Sequence, residues 1–421
     1  MEIEHEASRE KINQDILILR GDRALSGEDV RIGSLWFHTR NGRERGAFEY
    51  DKDWLMHPEK FALEPALKLT EGSFHTKAGR GLFGAIGDSA PDCWGRTLMR
   101  RAHAAKDNDR KQPTLTEIDY LLGVNDEARQ GALRFSLPAN EKTFLSAQRE
   151  KVFPPLIRLP KLLAAADHVM EDHESAADLK LLLAPGSSLG GARPKASVKD
   201  RDGSLAIAKF PKKDDEFNVP AWEAVALILA ESSGITVPSW RLETVLKKPV
   251  LILERFDRKG GQRIPFLSSM SMLDAGDHEE HSYLEIAYAI AQHGASPTED
   301  LEELWRRIVF TVMISNTDDH LRNHGFLYER YKGWRLSPAY DMNPTPIHIK
   351  PRVLTTAIDF EDTAASLETA MGVAGEFRVS NKRAHVIIKE VQAAVKEWRA
   401  VAERLGIPKA ECDQMASAFI F

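Results

Sequence analysis

Cysteine is nearly absent. The 421 residues hold two, Cys93 and Cys412, far apart and in no Cys-x-x-Cys pair. A disulfide framework and a cysteine zinc site are therefore both excluded as organising devices, and a reducing compartment fits. Long apolar runs are missing too. "AVALILA" (224–230) and "IVFTVMI" (308–314) fall far short of a bilayer span. The N-terminal "MEIEHEASRE" is acidic and polar, the opposite of a signal peptide, so a cytoplasmic protein with no membrane partner is expected. There is no excess of positive charge. The formal net charge is −6, and a protein that coats nucleic acid is usually basic. Internal repeats and low-complexity tracts are lacking. So are a Walker A Gly-Lys-[Ser/Thr] and a Gly-x-Gly-x-x-Gly fingerprint.

What is present is a soluble globular composition, 43% hydrophobic and 29% charged, long enough for two or three domains or lobes. The N-terminal region reads as short strands: "DILILR" (15–20), "RIGSLWFH" (31–38) and "GAFEYD" (46–51), with Asn41-Gly42 as a hairpin turn. "DSAPDCWGRTLMRRAHAAK" turns helical, with Asp92 or Ser89 as N-cap. "TEIDYLLGVNDEARQGALRF" (116–135) reads as helix, loop and strand start. Residues 159–184 read as one long helix by periodicity. A mixed segment follows, with strands in "ARPKASVKD", "GSLAIAKFP" (203–211) and "KPVLILERFD" (248–257). An apolar helix ending at Gly234 lies between the last two. Beyond 258 the pattern is helical, interrupted by one hairpin at 325–341.

The densest chemistry is "SNTDDHLRNHG" (315–325). Asp318 and Asn323 stand five apart, and Asp341 follows after the hairpin. Phosphoryl transfer from ATP needs a base for the acceptor hydroxyl and hard oxygen ligands that hold Mg²⁺ against the phosphates. Protein kinases use Asp-x-x-x-x-Asn on one loop and a second Asp beyond a hairpin. Each residue alone is more often a solvated loop or turn residue; it is the combination, after a buried helix, that points to catalysis. His320 and His324 have zinc spacing on a helix, but no Glu follows His320 and no third ligand is evident, so hydrogen-bonding histidines are expected.

Lys209 ends an apolar strand. It is either a lysine snorkelling to solvent or one that grips phosphates, with Glu223 on the next helix as its partner. Upstream, "APGSSLGGARPKAS" (184–197) offers glycines whose backbone N–H groups can approach phosphate, and Lys195. "LILERFDR" (251–258) is either an ordinary exit strand or a hinge whose backbone meets adenine.

The set "SSLGGARPKASV", "AIAKFP", "ERFDR", "NTDDHLRNHGFL" and "LSPAYDMNP", with "DYLLGVNDEARQGALRF", resembles the HipA-type serine/threonine kinases, toxins of bacterial type II toxin–antitoxin modules. The likeness covers most of residues 15 to 345, and the ordered set is highly specific. The N-terminal fifteen residues and "KFALEPALKLTEGSF" match only loosely, and no motif is assigned after 350. "RVLTTAIDFEDTAAS" is expected to pack near the active-site end of the helical lobe.

The resemblance implies an α+β, two-lobed protein-kinase-like fold. Its parts are a β-rich module (1–135), a small lobe with the glycine loop (136–257) and an α-helical catalytic lobe (258–421). It implies ATP and Mg²⁺ as cofactors, Asp318 as the base, and Asn323 and Asp341 as metal ligands. Lys209, Lys195, Ser188, Gly190, Gly191, Ala192, Glu254, Phe256 and His320 become the ATP-binding residues. Ser188, or its neighbour Ser187, falls where the family is autophosphorylated. A phosphate there would inhibit by repulsion inside a phosphate-binding loop. The implied partners are a helix-turn-helix antitoxin of HipB type, through which alone DNA is met, and a protein substrate. Family targets include aminoacyl-tRNA synthetases. A nucleotide-binding pseudokinase acting as corepressor is the alternative, and the intact Asp318, Asn323, Asp341 and Lys209 argue against it. A small-molecule kinase is a third reading, disfavoured by the wording of the glycine loop.

Overall fold

A computed structural model describes residues 16–20, 30–40, 43–105, 114–138, 144–145, 154–186, 191–277, 279–360 and 362–421. The chain forms two compact units: Met1–Ile207 with Asp257–Leu267, and Ala208–Phe256 with Ser268–Phe421.

The first unit is built on an antiparallel sheet of β1 (Ile16–Arg20), β2 (Val30–Arg40), β3 (Arg43–Tyr50), β4 (Ser73–His75) and β5 (Leu133–Ser136). Their order is β4-β3-β2-β1-β5. All three strands expected from sequence are there. Branched and aromatic side chains bury one another across the pairs, with Leu35 opposite Phe48 and Ile16. Asn41-Gly42 lies outside the described residues.

Helix α1 (Lys52–Met56) follows β3, then α2 (Cys93–Ala104) and α3 (Glu117–Gly123). A Thr116–Asp119 capping box opens α3. Asp92 is the N-cap of α2, but its side chain does not cap; it accepts the Gly191 N–H instead.

The long helix expected over 159–184 is two helices, α4 (Leu159–Met170) and α5 (Ala176–Gly186). Asp172 adopts a left-handed φ of 57°, and Ser175 and Asp178 exchange hydrogen bonds that start α5. Arg101 holds Asp172 and Glu174 in the break. Periodicity continued through the gap because Ser-x-x-Asp is a helix-start signal that also fits a helix interior.

Strands β6 (Lys195–Lys199) and β7 (Leu205–Lys209) come next, and the chain passes into the second unit within β7. Helix α6 (Val219–Ser232) is apolar almost all round and buried. It ends in a Schellman motif: Ile235 N–H donates to Ala230 O, Gly234 N–H to Glu231 O, and Gly234 has φ 76°. A hairpin of β8 (Trp240–Val245) and β9 (Lys248–Glu254) follows. Only β9 was expected; β8 is half-buried and lacks an apolar run.

The chain then contributes a short ribbon to the first unit, β10 (Arg258–Lys259) with β11 (Gln262–Arg263). Here Asp257 accepts the Gly131 N–H at 2.7 Å and Arg258 donates to Gly131 O at 3.1 Å. The second half of "ERFDR" thus clamps the "DEARQG" turn.

The chain returns to the second unit at the end of β12 (Phe266–Ser268) and leads on to α7 (Tyr283–His293) and α8 (Pro297–Met313), then to the β13 (Gly325–Glu329) and β14 (Gly333–Leu336) hairpin. The unit closes with α9 (Asn381–Lys396), α10 (Trp398–Arg404) and α11 (Lys409–Met415). Among the described residues no helix is long and apolar enough to cross a membrane.

Candidate active site

In β7 the residues Ala206 and Ala208 are buried, and Lys209 closes the strand. Its Nζ lies 2.6 Å from Glu223 Oε1 and 2.9 Å from Asp341 Oδ1. Burial works against the ammonium charge, but the Asp341 and Glu223 carboxylates outweigh it and hold the Lys209 pKa above the usual lysine range. Glu223 is 2% exposed, one turn into α6. That turn is fixed: Asn218 caps Ala221, and Glu411 accepts both the Asn218 N–H and the Trp222 indole N–H at 2.8 Å.

Helix α8 is buried along most of its length and delivers the loop that begins at Ser315. Ser315 has φ 49°, and its hydroxyl donates to Ala418 O at 2.7 Å. Residues 315–319 are buried except one. The Asp318 side chain is 79% exposed, between the buried Thr317 and Asp319.

Both flanks of Asp318 are clamped. The Thr317 carbonyl accepts Thr355 N–H at 3.2 Å, Thr355 Oγ1 at 3.0 Å and Lys350 Nζ at 3.2 Å. The Asp319 carbonyl accepts Thr356 Oγ1 at 2.7 Å. The Asp319 carboxylate takes the Tyr283 hydroxyl and His324 Nε2, the latter at 3.1 Å. A carboxylate only accepts, so His324 carries its proton on Nε2. Burial works against the Asp319 charge, but His324, Tyr283 and His320 overcome it and hold the carboxyl below its ordinary range. Burial, then the Asp319 charge, pushes the Tyr283 phenol well above its usual range, so it stays a donor.

Asp341 follows the β13–β14 hairpin with φ 59°, a left-handed conformation that residues with a Cβ rarely adopt. Asn343 tethers it: its N–H donates to Asn316 Oδ1 at 3.2 Å and its Nδ2 to Asp341 Oδ1 at 3.4 Å. Asn323 Nδ2 donates to Asp318 O at 3.2 Å, which leaves its Oδ1 as acceptor. A carboxylate and an amide oxygen are the donor types that suit Mg²⁺, which commonly completes its shell with phosphate and water. The residues therefore fit that ion. Among the described residues no group of three or more His, Cys, Asp or Glu is arranged to hold a metal.

Glu254, at the end of β9, is exposed and donates its N–H to Ser239 O at 2.8 Å. The Phe256 ring lies 5.5 Å from that of Tyr340, whose hydroxyl donates to Arg322 O at 2.8 Å. His320 precedes a single 3₁₀ turn and is half-buried, with Nδ1 buried and unpartnered.

A separate cluster forms within the first unit. Gly191 has φ 85°, and a Cβ there would stand 2.7 Å from Lys195 Nζ. Lys195 is buried, and its carbonyl accepts the Trp94 indole N–H at 2.9 Å. Ala192 is exposed. Ser187, Ser188 and Gly190 lie outside the described residues.

The second unit thus brings together Lys209, Glu223 and Asp341, and separately ties Asn323 to Asp318. Sequence reading missed Asp319, Tyr283, Asn316, Asn343, Lys350, Thr355 and Thr356. The doubled aspartate was the one local sign. The two threonines fall in the "RVLTTAIDFEDTAAS" segment, which does pack on the loop.

Residues 187–398 match the HipA-like C-terminal domain, and residues 26–118 match the HipA N-terminal domain. Over 229 residues the chain is 28% identical to "Putative kinase Y4dM" of Sinorhizobium fredii (strain NBRC 101917 / NGR234), covering 49% of this chain and 54% of that protein. Over 180 residues it is 31% identical to a "Putative kinase" of Haemophilus influenzae, covering 37% and 52% respectively. The chain spans about half the length of these curated relatives. Among solved structures it is similar to the Shewanella oneidensis HipA in a complex with HipB and operator DNA. The TM-score is 0.64 at 15% identity, covering 96% of this chain and 94% of that one. At that identity the likeness concerns the fold, and the expected α+β architecture of HipA type is the one found.

Proposed function

The chain belongs to the HipA family, and on that premise we propose that it is an ATP-dependent serine/threonine protein kinase, the toxin of a type II toxin–antitoxin module. The observation that carries the reading is Lys209. A strand lysine paired at once with a helix glutamate and with the aspartate beyond the hairpin is the arrangement that kinases use to grip phosphates. Asp318 is then the base, raised into solvent on a buried loop. Asp341 and Asn323 would hold Mg²⁺, which supplies charge neutralisation at the phosphates when bound. Lys209 holds the phosphates and keeps Asp341 oriented. Asp318 orients the acceptor hydroxyl and takes its proton. In this reading Lys195, Gly191, Ala192, Gly190 and Ser188 are ATP-binding residues, as are His320 and Glu254 and Phe256, the last two meeting adenine through their backbone.

Ser188 or Ser187 is the site of self-phosphorylation in this reading. The partner is a helix-turn-helix antitoxin of HipB type, which carries the DNA contact; the complex in the related Shewanella structure supports that pairing, and the net charge of −6 fits it. Intact mass after incubation with Mg-ATP tests the enzyme. The wild type is expected to gain one phosphate, mapped to Ser187 or Ser188, and Asp318→Ala none. Equal gain by both, or ATP binding with no transfer to the chain or to any protein acceptor, overturns the kinase assignment in favour of a nucleotide-binding corepressor.

A further inference from the structure

Lys350 belongs to none of the motifs that define the site, yet its Nζ lies 3.7 Å from Asp318 Oδ1 and 3.2 Å from the Thr317 carbonyl. Its backbone is placed by a built segment. Thr345 N–H donates to Ser315 O, and Ile349 and Lys350 N–H both turn back to Pro346 O. Ile347 N–H donates to Ser417 Oγ. Downstream, Thr355 and Thr356 pin the segment to the carbonyls on either side of Asp318. The neighbouring Arg352 is spent on the Val312 and Ala365 carbonyls. Lys209 is spent on two carboxylates. Lys350 is thus the cation this segment carries to Asp318.

The pair is 41% and 79% exposed, and an ion pair so open to water contributes little to stability. What it does is put a partly exposed ammonium beside the exposed Asp318 carboxylate. Resting on the kinase reading above, we infer that Lys350 is a further catalytic residue: its ammonium engages the transferring phosphoryl group beside Asp318. The acceptor oxygen bonds to the γ-phosphorus as the bond to the bridging oxygen breaks. The electron pair leaves with ADP, and the acceptor proton goes to the Asp318 carboxylate. Charge spreads over the three equatorial oxygens. An ammonium has three donors, enough to hold the Thr317 carbonyl, Asp318 and one such oxygen together. Among the described residues, Asp318 is the carboxylate within ion-pair reach of it.

The test uses the full chain, radiolabelled Mg-ATP, and transfer to the chain itself and to dephosphorylated casein. Lys350→Ala and Lys350→Met are expected to lower the rate at saturating ATP by about 10²-fold, the order seen when one transition-state donor is removed. The apparent KM for ATP and the Tm should stay as in the wild type, and Lys350→Arg should recover part of the rate. A Lys350→Ala protein that keeps the wild-type rate while Asp318→Ala is dead overturns the assignment and leaves the kinase intact. So does a loss of rate that tracks a fall in Tm and is not rescued by Arg. A wild type that transfers no phosphate to either acceptor fails one level earlier, at the kinase itself, and takes this assignment with it.

Discussion

Lys209 Nζ stands 2.9 Å from Asp341 Oδ1, across 132 residues of chain. The same ammonium also neutralises the buried Glu223. Removing it leaves a carboxylate in a dry environment, which is costly because breaking a buried pair strands the other charge.

Lys209→Met is therefore expected to lose stability, by about 3 kcal/mol, as well as phosphoryl transfer. Denaturant melts and a transfer assay on the same preparation check both. The Lys209 pKa is raised on folding, so its contribution is fully present below the unfolded lysine pKa and is lost only as pH rises through the higher folded value. The Tm cost of Lys209→Met should accordingly stay constant between pH 6 and 9.

Adjacent aspartates should behave oppositely. Asp318→Asn removes an exposed carboxylate and should change stability by less than about 0.5 kcal/mol while abolishing transfer. Asp319→Asn disturbs a buried carboxylate held by Tyr283 and His324, and should destabilise by several-fold more, on the order of 3 kcal/mol.

Asp319 also predicts an acid limb. Its folded pKa is depressed, so its stabilisation is present above the unfolded aspartate value of about 3.9 and is lost as pH falls through the folded value. The wild type should lose Tm steeply below about pH 4, and Asp319→Asn should show a shallower fall. Equal slopes would remove Asp319 from the account.

Gly191→Ala puts a side chain at φ 85°, with its Cβ 2.7 Å from Lys195 Nζ. Strain should cost on the order of 1 kcal/mol or more. If Lys195 serves the nucleotide, the displaced ammonium should raise the apparent KM for ATP with a smaller change in kcat, which steady-state kinetics would read directly.

Thr355→Val and Thr356→Val each delete one donor to a carbonyl beside Asp318. Each should cost about 1 kcal/mol. The double variant should lower kcat more than KM, because the loop loses its grip on the base rather than on ATP.

Several features were legible because their physics is local. Asp318 and Asn323 lie five apart on one loop, and the hairpin before Asp341 announces itself by its turn. The strands of the first sheet follow from branched and aromatic runs, and the end of α6 from Gly234. The break between α4 and α5 was hidden because Ser175 and Asp178 serve a helix start and a helix interior equally well. Strand β8 was hidden because it is half-buried and polar, and owes its existence to pairing with β9.

By itself the sequence determined the inventory: an ordered set of motifs, a strand lysine, a loop aspartate and asparagine, and a late aspartate. Each rests on neighbours a few residues away, where chain order and spatial order agree. Only the tertiary structure decided which aspartate faces solvent, which carboxylates meet Lys209, and that Thr355, Thr356 and Lys350 stand against the loop. Those choices depend on which buried polar groups find partners from distant segments, and no spacing rule along the chain encodes that.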